Sequence, residues 1–380
     1  MRLNPVLAAM ASYPFLRLTE AKRAAAARGV DVIDFGIGEP REQTPAFIPR
    51  ALARALDEEP ISTYPVAEGL PELREAVAAW TQRRFGATLD ADTEVIPTQG
   101  SKEAIFHLPQ VVAGRGDRVA VTTPGYPVAA RGALFAGAHV VDVALDPARG
   151  WQPDLDAVDW DGVALLWLNH PNNPTAATAS PALYEHAAAL AREHDFVLAS
   201  DEAYSELWFA GEPPVSALQL ADRTNVVVFN TLSKRSSMPG YRSGFAAGDP
   251  EIVAALKRYR PNVGVAPPTF IQRAAAAAWA DEEHVIEVRE RYRAKRDALL
   301  PALLAAGLEP SGGDASFFLW LRVPGGEDAE AYALRLLEQH GIVIAPGPYF
   351  GPGGEGHVRI ALVPTPADCR RAADLLASAT

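Results

Sequence analysis

Residues 231–245, TLSKRSSMPGYRSGF, decide how this chain is read. Lys234 follows an apolar run, NVVVF (225–229), that reads as a buried strand. Small hydroxyl residues flank it (Thr231, Ser233, Ser236, Ser237), and Arg242 lies downstream between Gly240 and Gly244. Burial makes a charged lysine costly, so the amine tends toward its neutral, nucleophilic form. The hydroxyls and the arginine supply the donors and the fixed positive charge that a phosphate dianion needs.

Composition bounds the rest. Of 380 residues, 48% are apolar and 22% charged, which suits a globular protein with room for a large and a smaller unit. The net charge of −12, with no long basic run, argues against nucleic acid or an anionic membrane as partner. Cys369 is the only cysteine, so no intrachain disulfide and no cysteine-built metal site can form. Near the N-terminus only residues 6–11 are continuously apolar, too short for a secretory segment, and no run reaches membrane-spanning length. A soluble cytoplasmic protein is expected.

Short apolar runs at 118–122, 138–143, 163–168, 196–200, 225–230 and 244–247 alternate with helical patterns such as PALYEHAAALAREH (181–194). Such alternation predicts an α/β domain on a mostly parallel sheet. Several runs end in unusual residues: LLWLNHPNNPT, VLASDEAY, VVVFNTLSK. Ligands of open α/β sheets bind beyond the carboxyl ends of strands, so these endings should converge. A charged helical stretch at 281–306 reads as a solvated connector. Beyond it, strands near 316–323, 343–345 and 357–362 and helices near 328–340 and 366–377 predict a small α+β domain. The expected division is 42–280 for the large unit, with 1–41 and 281–380 forming the other. The alanine run 274–278 reads as packed helix.

The strand endings carry the pieces of one site. QGSKEAIF (99–106) places Gly100 and Ser101 at a helix start, where free backbone N–H groups favour an anion or simply await a cap. Asp201 ends a strand and reads either as the partner of a cationic ring nitrogen or as a turn residue capping the next helix. Tyr204 is either a donor to a ring oxygen or a core aromatic, and Asn173 either such a donor or part of an Asn-Pro turn. Tyr126, in PGYP, would stack on a ring or serve a turn. Arg359, in the strand HVRIALV, is either a bidentate carboxylate clamp or a surface cation. Together with Lys234 these are the groups that pyridoxal 5'-phosphate requires.

Their order and spacing resemble the class I/II aminotransferases, the fold-type I pyridoxal phosphate enzymes. The resemblance runs through FGIGEP (35–40), YPVAEGLPELREA (64–76), QGSKEAIF (99–106), TPGYP (123–127), NHPNNPT (169–175), SDEAY (200–204), TLSKRSSMPGYRSGF (231–245) and HVRIAL (357–362). It implies a large α/β domain whose mostly parallel sheet is of the seven-stranded type, flanked by helices, plus a small α+β domain. It further implies that Lys234 binds the cofactor covalently and carries the proton, that Asp201 pairs with the pyridine nitrogen, and that Asn173 and Tyr204 contact the ring O3′. Tyr126 would stack on the ring, and Ser101, Lys102, Thr231, Ser233 and Arg242 would surround the phosphate. Arg359 and Gly38 would engage the substrate carboxylate. Tyr64 would reach the phosphate of a neighbouring subunit, which implies a homodimer with shared sites. Two positions depart from the pattern: Ala176 stands where glycine is usual, and Thr231 where serine is commoner.

Within the class, FGIGEPREQTPAFI, LPELREAVAAWTQRRFG, GSKEAIFHLPQ and FFLW (317–320) are most similar to bacterial N-succinyldiaminopimelate aminotransferases of lysine and diaminopimelate biosynthesis. That implies glutamate and 2-oxoglutarate as the second substrate pair. A succinylated substrate needs further cations, for which Lys102, Arg17 and Arg41 are candidates, Lys102 first. The alternatives are an aspartate, alanine or aromatic aminotransferase, or a carbon–sulfur β-lyase. The segment 12–18 is expected to shield bound substrate.

Overall fold

The structure is a computed structural model and describes residues 2–10, 15–59 and 63–377. A short strand β1 (Ile33–Asp34) precedes the strands of the main sheet. These are β2 (Val95–Thr98), β3 (Arg118–Thr123), β4 (His139–Asp146), β5 (Gln152–Pro153), β6 (Val163–Asn169), β7 (Val197–Asp201), β8 (Val226–Thr231) and β9 (Gly244–Gly248). The C-terminal part adds β10 (Glu309–Pro310), β11 (Phe318–Arg322), β12 (Ile342–Val343), β13 (Ala345–Pro346) and β14 (His357–Ala361).

The main sheet has the order β2-β9-β8-β7-β6-β3-β4-β5. From β4 through β3, β6 and β7 to β8 every pairing is parallel, whereas β9 runs antiparallel to both its neighbours. The two-residue β5 adds an edge to the seven longer strands. Apolar residues on these strands divide by parity. Leu166, Leu168, Val226 and Val228 enter the cluster around Trp80 and Trp279 on one face. Leu165, Trp167, Val227 and Phe229 enter the cluster on the other, with Ile105, Leu108 and Ala133. Helices therefore cover both faces, which is why the strands read as continuous apolar runs. Ala274, Ala275 and Ala278 lie on the packed face of the Thr269–Ala280 helix, as expected.

Two local readings change. Strand β2 goes unrecognised in sequence because Pro97 sits in its middle; it is tolerated because β2 is the edge strand. The charged helix Glu283–Ala305 is not simply a solvated connector. It packs along the Pro366–Ala377 helix and buries His284, Val288, Tyr292, Lys295 and Leu299. Lys295 is wholly buried, donating to the Leu362 carbonyl at 3.1 Å and pairing with Glu42.

The smaller sheet, β10-β11-β14-β13, is antiparallel, and β1 pairs with β12 in parallel. The segment after β1 crosses from this unit toward the C-terminal edge of the main sheet. Within the expected shielding segment 12–18, residues 12–14 lie outside the described residues. Leu18 is buried against Gly36, just beyond β1. Among the described residues no helix is long and apolar enough to cross a membrane.

Candidate active site

The strand endings do converge. Beyond the carboxyl ends of β2, β3, β6, β7 and β8 lies a cavity of about 350 Å³. Of the predicted residues, Gly38, Ser101, Lys102, Tyr126, Asn173, Asp201, Tyr204, Thr231, Ser233, Lys234, Arg242 and Arg359 all line it. Tyr64 does not: it is 91% exposed and away from the cavity of its own chain. Arg17 and Arg41 are absent from the lining as well, and Arg41 faces Asp34 at 3.5 Å.

Lys234 stands on a single helical turn, Leu232–Arg235, that caps β8. Its amine donates to the Gly38 carbonyl at 2.8 Å, and burial, reinforced by Arg359, pulls its pKa down to about 7. The turn is anchored from behind. Arg235 is buried against Trp279 and donates to the Ala278 carbonyl at 2.7 Å, while Ser236 Oγ meets His284 Nε2 at 2.8 Å.

Asp201 ends β7, in register with Asn169 on β6. Its Oδ1 accepts the Ala203 N–H at 3.2 Å, and among the described residues it forms no salt bridge. Burial raises its pKa to about 7, Lys234 opposing. Such a carboxylate is a socket for a cation. Asn169 holds the strand end in place, donating to the Asp201 carbonyl at 2.9 Å and accepting the Asn173 N–H at 2.9 Å. Tyr204 packs edge-on against Phe317 and Phe318, and burial raises its pKa too.

At the far side the Ser101–Val112 helix begins with Gly100 at φ +74°; among the described residues no N-cap side chain serves its first N–H groups, which have no intrahelical partner, and Ser101 and Lys102 line the cavity. Thr231 and Ser233 hydroxyls lie 3.0 Å apart beside it. Arg242 reaches over Gly100 and spends its donors on the carbonyls of Pro239 and Gln99. The approach is tight: a Cβ on Gly100 would fall 2.7 Å from Arg242 Nη2, and one on Gly244 would fall 2.4 Å from the Asn230 carbonyl. A space bounded by helix N–H groups, two hydroxyls and a guanidinium is an anion site.

Across the cavity Arg359, on β14, is sandwiched between Phe318 and Phe350, whose ring centres lie 4.3 and 4.5 Å from its Cζ. It donates to Asn173 Oδ1 at 2.8 Å and to the Gly36 carbonyl at 2.7 Å. In all, three cations (Lys102, Arg242, Arg359), the Lys234 amine and two acidic side chains (Glu39, Asp201) line the cavity of a protein whose net charge is −12. That local excess suits a doubly anionic ligand carrying one cationic nitrogen. Pyridoxal phosphate meets this description, and the donor set fits it, as does Asp201, which has no ion pair among the described residues.

The sequence profile of aminotransferase class I and II matches residues 30–376. The chain is a class I/II aminotransferase. It is 40% identical over 359 residues to the LL-diaminopimelate aminotransferase of Aquifex aeolicus, covering 93% of each chain. An aminotransferase structure from Neisseria meningitidis superposes with a TM-score of 0.92 at 37% identity, over 99% of this chain and 100% of that one. A probable N-succinyldiaminopimelate aminotransferase from Thermus thermophilus gives 0.89 at 34% identity, over 96% and 100%. Membership makes this aminotransferase a pyridoxal phosphate enzyme that acts on amino acids and 2-oxo acids.

The two departures from the family pattern are accommodated. Ala176 adopts φ +60°, the left-handed conformation for which glycine is the natural residue. Thr231 Oγ1 accepts the Ser233 N–H at 3.1 Å, a bond serine could equally make. Sequence reasoning did not single out Asn169, Phe318 or Phe350. Asn169 opens the NHPNNPT motif and Phe318 lies within FFLW, whereas no motif pointed to Phe350.

Proposed function

We propose that this aminotransferase acts on the free amino acid LL-diaminopimelate, with glutamate and 2-oxoglutarate as the other pair, in diaminopimelate and lysine biosynthesis. The carrying observation is a pair of opposite charges: Glu39 and Lys102 both line the cavity, both are exposed, and neither forms an ion pair among the described residues. A distal end bearing both an ammonium and a carboxylate would satisfy both. The name carried by the Aquifex relative supports this reading. A second reading, the succinylated compound, draws on Lys102 alone and on the name of the Thermus neighbour.

When bound, pyridoxal phosphate supplies the electron sink that makes a Cα–H bond acidic. The chain's own residues do the rest. Ser101, Lys102 (through its backbone N–H), Thr231, Ser233 and Arg242 would hold the phosphate, and Asp201 would hold the pyridine N–H. Tyr126 would lie against the ring, while Asn173 and Tyr204 would donate to its phenolic oxygen. Arg359 grips the α-carboxylate with the Gly38 segment beside it, which fixes the substrate Cα next to Lys234. The Lys234 amine, its pKa drawn down to about 7, would then take the proton from the substrate Cα and hold it for return. In this reading Tyr64, exposed in the single chain, would serve the phosphate of a second copy, and the working unit would be a homodimer. The division into 42–280 and the remaining residues belongs to the same reading.

The test compares kcat/KM for LL-diaminopimelate and its N-succinyl derivative, in wild type and Glu39→Gln. A wild-type preference for the free amino acid that Glu39→Gln selectively reduces supports the first reading. A preference for the succinylated compound, indifferent to Glu39, selects the second.

A further inference from the structure

Two of the reactive cations are held by one short piece of backbone. Gly36 accepts from Arg359 Nη2 at 2.7 Å, and Gly38, two residues on, accepts from Lys234 Nζ at 2.8 Å. Glycines have the widest backbone freedom, so something must fix the directions of these carbonyls. Packing does part of it. A Cβ on Gly36 would fall 2.6 Å from Leu18 Cδ2, and one on Gly38 would fall 2.8 Å from the Phe318 ring.

The rest falls to Asp34, the last residue of β1, which lies outside the cavity lining. Its Oδ1 accepts the Gly36 N–H at 2.9 Å, an Asx-type turn that locks the strap at its root. Its Oδ2 receives Lys22 Nζ at 2.7 Å and, more distantly, Arg41 at 3.5 Å. Asp34 is 6% exposed, so this buried carboxylate depends on Lys22, which comes from the Phe15–Ala27 helix. Between Asp34 and Gly36, Phe35 is pinned to Val343 and Ala361 by backbone bonds of 2.8 Å each.

We propose that Asp34 is a positioning residue of the reaction. Through the Gly36–Gly38 strap it aims Arg359 at the substrate carboxylate and sets the resting place of Lys234, and Lys22 holds it in that setting. The proposal rests on the roles given above to Arg359 and Lys234. It joins the Phe15–Ala27 helix to the site through Lys22.

The experiment uses holoenzyme of wild type, Lys22→Met, Lys22→Arg, Asp34→Ala and, as benchmark, Arg359→Lys. For each, KM and kcat with the amino donor are measured, along with the pH titration of the absorbance of the lysine-bound cofactor and the melting temperature. Lys22→Met and Asp34→Ala should raise KM about tenfold, the scale of one misdirected charge-assisted bond, with kcat within about twofold. Both should shift the absorbance titration, and Lys22→Arg should restore both readouts. If Arg359→Lys is impaired while Lys22→Met and Asp34→Ala lose only thermal stability, Asp34 is structural and the proposal falls. If Arg359→Lys itself behaves as wild type, the assignment of the substrate clamp falls, and the strap's role with it.

Discussion

Arg359 Nη1 donates to Asn173 Oδ1 at 2.8 Å, joining β14 of the small sheet to the loop after β6 of the large one. A guanidinium has only donors, so this bond fixes which way the Asn173 amide faces. Its oxygen is committed to Arg359, which leaves the NH2 group as the one it can present to a ligand's oxygen. The substrate clamp and the cofactor contact are therefore mutually oriented, and both depend on the two sheets meeting correctly.

Arg359→Lys keeps the charge and loses the planar fork. KM for the amino donor should rise roughly 10- to 100-fold, with a smaller fall in kcat. Steady-state kinetics with glutamate checks this.

Gly38→Ala should lower kcat/KM by roughly 100-fold, because its Cβ would fall 2.8 Å from the Phe318 ring and displace the carbonyl that meets Lys234. Phe318→Leu opens that space. The double variant should recover part of the loss, a non-additivity that a double-mutant cycle measures.

How much of this was legible in the sequence differs by kind of interaction. Strands ending in chemistry, such as VLASD and VVVFNT, were readable because apolar runs and abrupt polar endings are local signals. Strand β2 was not, because Pro97 disguises an edge strand as a turn. Nothing local shows that Phe318 and Phe350 close on Arg359 from both sides. The Gly36–Gly38 strap works through carbonyl oxygens, which every residue has and no residue type advertises.

Asp201→Asn tests the buried carboxylate in cofactor-free protein. The folded-state pKa is raised to about 7 from an ordinary 3.8, so between about pH 4 and 7 the native state binds more protons than the unfolded one. Wild-type stability is therefore drained by this group as pH rises through that window and is constant above it. The melting temperature of Asp201→Asn relative to wild type should accordingly be higher at pH 8 than at pH 5, a difference that thermal melts at the two pH values would expose. Adding pyridoxal phosphate should stabilise wild type more than the variant.

Arg235→Met removes a buried cation that serves the Ala278 and Asp281 carbonyls and pairs with Glu282 at 3.0 Å. The variant should lose about 3 kcal/mol of stability, measured by denaturant unfolding. The turn carrying Lys234 should loosen with it.

The most direct measurement is the absorbance spectrum of protein loaded with pyridoxal phosphate, for wild type and Lys234→Ala, while glutamate, LL-diaminopimelate and N-succinyl-LL-diaminopimelate are added in turn. The account predicts a lysine-bound cofactor band in wild type that is absent from Lys234→Ala. Glutamate and LL-diaminopimelate should convert that band to the amine form of the cofactor, whereas N-succinyl-LL-diaminopimelate should do so far less efficiently. A Lys234→Ala protein that keeps the band and turns over at the wild-type rate would contradict the account at its centre.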